Sequence, residues 1–111
     1  MPKPDTSLRV VINDQPWHLI FATRKRISEE AKKHQLSYRL NGMCDWDART
    51  IWIYRGLTGK ELMDTITHEY FHAKRGDCTE EWVTQAASEL TDIQFDVLGY
   101  RRMESHKDVA S

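Results

Sequence analysis

From Gly59 to Gly99 the chain reads as two long helices separated only by Arg75 to Cys78. A break this short leaves them one arrangement, side by side and near antiparallel. Gly59 to Lys74 contains no proline, Thr58 is placed to cap its start and Gly76 ends it. Thr79 caps the second helix, with Glu80 and Glu81 in the first turn, where the positive end of the helix dipole favours carboxylates. That helix is predicted to run to about Leu98 and to stop at Gly99. The start of the second helix therefore comes alongside the end of the first.

Upstream, Leu8 to Ile12 and Trp17 to Phe21 are β-rich runs on either side of Asn13-Asp14-Gln15-Pro16, a cluster of turn formers, and read as a hairpin or two successive strands. Arg24 to Gln35 is rich in helix formers, with Ile27, Ala31 and His34 at helical spacing. Strands are expected at Tyr38 to Leu40, Gly42 to Asp45 and Arg49 to Tyr54, with Asn41-Gly42 as a turn and Trp46-Asp47-Ala48 as a connection. Strands and one helix followed by two packed helices predict an α+β domain. With 111 residues there is room for one domain, taken as 1–102, followed by a polar tail at 103–111.

Apolar runs such as Val10-Val11-Ile12 are far too short to span a bilayer, and no apolar stretch follows the N-terminal charges, so a soluble cytoplasmic protein without a membrane partner is expected. The net charge of −1 argues against a nucleic-acid binder. Arg24-Lys25-Arg26, Lys32-Lys33 and Arg101-Arg102 are diluted by Glu29, Glu30 and Glu104 and read as solvated faces. Cys44 and Cys78 form no Cys-x-x-Cys unit, and no disulfide is expected. Cys78 is close enough to the histidines described next to be weighed as a ligand, although a small half-buried residue is the favoured reading.

The chemistry of the chain concentrates in His68-Glu69-Tyr70-Phe71-His72. Residues four apart share a helix face, so His68 and His72 can present two imidazoles to one metal ion. Glu69 projects roughly 60° around the helix from His72, in position to act as general base on a metal-activated water. Leu62, Ile66 and Ala73 form an apolar stripe, with the two histidines on its flank beside Thr65, which suits the wall of a cleft. A catalytic zinc takes three protein ligands and keeps one position open. His18, His34 and His106 have no spacing that argues for ligation, and Glu80 and Glu81 are the better candidates for the third ligand. Helical phase favours Glu80: Val83, Ala87, Leu90 and Gln94 follow it on adjoining faces, Ala86, Ile93 and Val97 complete the apolar side, and Glu81 points away.

His68-Glu69-Tyr70-Phe71-His72 followed by Glu80-Glu81 resembles the gluzincins, zinc peptidases with a glutamate third ligand on the following helix. The stretch from Arg49 to Arg101 is similar to small single-domain zincin-like proteins of phage and bacterial genomes, in which an Ile-Trp-Ile-type strand precedes the His-Glu-x-x-His helix and a Glu-Glu helix follows. This resemblance implies a minimal zincin-like core with a small mixed sheet, Zn2+ held by His68, His72 and Glu80 or Glu81, and Glu69 as general base of a metalloendopeptidase. It also implies an edge strand along the cleft, expected at Arg49 to Tyr54, that pairs with a protein or peptide substrate. The spacing from His72 to the glutamates is much shorter than in large gluzincins, so their substrate pocket does not transfer. Tyr100 and Arg101 are candidates for stabilising an oxyanion. Two alternatives stand beside this reading. One is a zinc-stabilised binding module without turnover. The other is a nucleic-acid-associated protein using Arg24-Lys25-Arg26 and the four tryptophans, whose expected role is otherwise packing.

Overall fold

A computed structural model describes residues 5–34 and 41–102. The expected strand at Tyr38 to Leu40, the last residue of the predicted first helix, and the tail from 103 onward lie outside the described residues.

β1 (Thr6–Ile12) and β2 (Gln15–Ala22) form an antiparallel hairpin. Its two-residue loop, Asn13 and Asp14, has φ of 54° and 62°. Such paired left-handed residues suit the right-handed twist of the strands, and Asn and Asp tolerate the conformation. α1 (Arg24–Lys33) follows, with the Thr23 hydroxyl accepting from the Arg26 N–H, and is succeeded by β3 (Gly42–Asp45) and β4 (Thr50–Tyr54). The strand order is β1-β2-β4-β3, with β2 and β4 parallel and the other pairs antiparallel. The result is the expected α+β domain, a mixed four-stranded sheet with an N-terminal helix and two C-terminal helices.

The expectation that Arg49 to Tyr54 forms a sheet edge is corrected. β4 pairs with β2 on one side and β3 on the other, so among the described residues the edges are β1 and β3, and β3 is the one beside β4. Thr50 to Ile53 are all buried, because an internal strand covered on both faces has no side to give to solvent.

Period-two alternation divides the sheet residues between two cores. Trp17, Ile51 and Ile53, with Leu19, Phe21 and Cys44, pack with Leu62 and Ala73 of α2 (Gly59–Lys74). Ala22, Met43 and Trp52 pack on the opposite face with Ile27 and Ala31 of α1. α3 (Glu80–Thr91) buries Val83, Ala87 and Thr91 and lies against α2. Glu80 meets His72 near the end of α2, whereas Thr91 meets Asp64 and Lys60 meets Asp92 near its start. These contacts fix the antiparallel pairing.

Beyond Thr91 the chain widens into a π-helical turn over Asp92–Val97, closed by Leu98 N–H on Ile93 O at 2.9 Å and followed by Gly99 with φ of 74°. Ile93 and Val97, expected on the apolar side, are exposed. A π turn advances each residue less than 100° around the axis, so the phase laid out from Glu80 no longer holds there.

Gly42 begins β3 as expected, directly after the turn signal at Asn41, and meets a steric demand. A Cβ at this position would lie 3.0 Å from the Trp52 carbonyl oxygen and 3.1 Å from Thr65 Cγ2. Replacing Gly42 with Ala should therefore destabilise the chain by about 1–3 kcal/mol, read by urea denaturation, because backbone on one side and helix on the other leave little room to yield.

Candidate metal centre

The last turn of α2 is held by groups from three places. Arg75 N–H donates to Phe71 O at 3.0 Å, Trp46 Nε1 to His72 O at 2.7 Å, and Asn13 Nδ2 to Lys74 O at 3.0 Å. Helix C-termini leave carbonyls without intrahelical donors; the Arg75 bond is the last of the helix's own ladder, and the two side-chain bonds satisfy the carbonyls of His72 and Lys74. Both β-turns of the sheet thus reach the turn of α2 that carries His72.

At the other side of the break, the Thr79 hydroxyl accepts from Trp82 N–H and starts α3, placing Glu80 in its first turn. The Glu80 carboxylate spans both imidazoles, with Oε2 at 3.0 Å from His68 Nε2 and Oε1 at 2.9 Å from His72 Nε2. The imidazole rings stand 5.0 Å apart at 57°. One nitrogen from each histidine and one Glu80 oxygen all fall within 4.8 Å of one another. Neighbouring ligand atoms on a tetrahedral zinc stand about 3.3 Å apart, and the three donors are grouped closely enough that they could hold such an ion. Two imidazoles and a carboxylate also suit other divalent metals.

Exposure grades outward across the group. The His68 side chain is 7% exposed, His72 21% and Glu80 53%. Access is therefore from the Glu80 side.

Of the two glutamates open as third ligand, the structure brings Glu80 to the histidines; Glu81 is exposed and outside the group. Cys78 lies half-buried in the turn, its N–H on Arg75 O, and is not in the group either. His18 is on an exposed position of β2, and His34 caps the end of α1 beside Glu30. Arg101 stacks 3.4 Å from the Phe95 ring centre and donates to Phe95 O. It lines a groove with Gly59, Leu62 and Met63, toward the opposite end of α2 from His72. Tyr100 is exposed.

Glu69 is 1% exposed. It packs between α2 and β3, where a Cβ on Gly42 would lie 3.3 Å from Glu69 Cγ. Burying a carboxyl group is costly, and an apolar residue at this point of the seam would carry no such cost. Its charge reaches Cys44. Burial, then the negative charges of Glu69 and Asp45, push the Cys44 thiol up to about 12.

Reading along the chain missed Trp46, Gly42 and the Cys44-Asp45 pair as parts of this neighbourhood. Trp46 did leave a trace, being a large aromatic in a three-residue connection where polar residues are usual. Trp17 and Trp52 pack as expected, but Trp46 and Trp82 are about half exposed, at 47% and 53%. The basic cluster is engaged locally: Arg26 pairs with Asp5 and Glu30, and Arg24 lies over the Tyr54 ring. None of the described helices is long and apolar enough to cross a membrane.

Cys44 should resist alkylation by iodoacetamide at pH 8 in the folded chain and react once the chain is unfolded in urea. Only the thiolate attacks, and raising the pKa suppresses it. Because the folded-state value is the higher one, this thiol's contribution to stability is present at pH 8 and is lost as pH rises toward about 12.

No protein-family model, curated protein or solved structure matches this chain.

Proposed function

We propose that this chain is a small zinc-dependent metalloendopeptidase of the gluzincin type. The observation that carries the reading is the convergence of His68, His72 and Glu80 on one point at the seam of α2 and α3. A zinc ion held there would lower the pKa of a bound water to about 7 and polarise the scissile carbonyl. His68 and His72 each offer Nε2, the nitrogen already turned to Glu80. Glu80, the most exposed of the three, would supply the third ligand. Glu69, adjacent to His68 on α2, accepts the proton of the attacking water at its carboxylate and delivers it to the leaving amine. An extended protein or peptide substrate would lie along β3, the sheet edge that packs on α2.

The near-complete burial of Glu69 favours a second reading, a zinc-stabilised protein- or nucleic-acid-binding module in which the same ligands hold the fold without turnover.

Zinc content and peptide cleavage separate the two. The wild-type chain, purified without a histidine tag, should carry about one zinc, the stoichiometry of a single three-ligand site, and His72→Ala should carry almost none. Zinc-loaded wild type should cleave members of a library of unstructured peptides followed by mass spectrometry. Glu69→Gln should keep the zinc and lose about 100-fold to 10,000-fold in rate. Full zinc occupancy with no peptide cleaved would reject the peptidase in favour of the binding module. A folded wild type that takes up no zinc would reject both.

A further inference from the structure

Trp46 is half exposed, yet it is held on three sides. Its Nε1 donates to His72 O at 2.7 Å. Its ring lies over Gly76, where a Cβ would stand 3.1 Å from Nε1 and 3.2 Å from Cε2. The buried Trp17 meets it edge-on, with ring centres 5.6 Å apart at 86°. The anchor is therefore the sheet, and the groups it holds are the backbone of a histidine in the site and the glycine that turns the chain toward Glu80.

In a continuing helix His72 O would accept from the N–H of residue 76, but α2 ends at Lys74. The indole takes the place of that donor. We infer that Trp46 is a positioning residue for the His68, His72 and Glu80 group, fixing the last turn of α2 so that His72 stands opposite Glu80; this rests on the metal reading above. Asn13 on Lys74 O steadies the end of the same turn from the β1–β2 loop. Groups behind a metal's ligands set ligand orientation, and losing one weakens binding by about 10-fold to 100-fold.

The test compares wild type, Trp46→Phe and Gly76→Ala. Trp46→Phe keeps an aromatic ring against Trp17 but removes the donor. Gly76→Ala keeps the donor but presses a methyl group into the indole, and its exposed position makes it the variant to rely on if Trp46→Phe fails to fold. Zinc affinity is measured by competition with a chelator, and Co2+ is added separately to record its visible ligand-field bands, which report the geometry at the ion. Folding of each metal-free chain is followed by circular dichroism.

The expected result is zinc binding at least about 10-fold weaker in Trp46→Phe, with weaker binding also in Gly76→Ala and shifted cobalt bands in both. A purely packing role predicts a less stable metal-free chain with affinity and cobalt bands unchanged. Affinities of the folded variants within about twofold of wild type, with the same bands, would overturn the inference and leave the metal reading intact. A wild type that binds neither ion would overturn the metal reading and this inference with it.

Discussion

The seam between α2 and α3 is the constraint on which the site depends. α2 presents Leu62 and Ala73 to the sheet, while Val83 and Ala87 of α3 are fully buried where the two helices pack. His68 and His72 belong to neither apolar surface. They lie where the short Arg75 to Cys78 break returns the chain and sets the first turn of α3 beside the last turn of α2. A longer connection would loosen that pairing. A helix start also favours carboxylates, so Glu80 stands where its charge suits both the helix dipole and two imidazoles.

The sheet serves the seam as a rigid backing. Its two faces are filled by separate cores, and the internal strand β4 joins them. The approach of α2 to β3 at Gly42 leaves no space for a side chain, and the same approach encloses Glu69. The β-turns at Asn13 and Trp46 reach the end of α2 from the sheet side. Both have backbone devices that fix their shape: left-handed Asn13 and Asp14 in one, and in the other Arg49 with φ of 49° and the Asp45 carboxylate accepting from Ala48 N–H. Turns held this way can position a helix terminus.

Much of the seam was legible in the sequence because it depends on local periodicity. The four-residue spacing of His68 and His72, the Thr79 cap and the phase that favoured Glu80 over Glu81 all follow from helix geometry within one or two turns. Non-local features were not legible in that way. The parallel pairing of β2 with β4 leaves no signal in the intervening chain, although Ile51-Trp52-Ile53, apolar on both faces, already had the character of an internal strand. The start of β3 at Gly42 is legible, but the steric demand there is not, because a glycine required by a close helix is indistinguishable, in sequence, from one required by a bend. Phase also failed beyond Thr91, where the π turn displaced Ile93 and Val97 from the buried side. The role of Trp46 depends on a backbone carbonyl 26 residues away.

The central claim is that His68, His72 and Glu80 form one metal site, and X-ray absorption at the zinc edge of the zinc-loaded chain tests it most directly. The account predicts a first shell of nitrogen and oxygen at about 2.0–2.1 Å, with the outer-shell scattering of two imidazoles and no sulfur. A sulfur scatterer at about 2.3 Å, which would bring in Cys78 or Cys44, or a shell lacking the imidazole pattern, would contradict it.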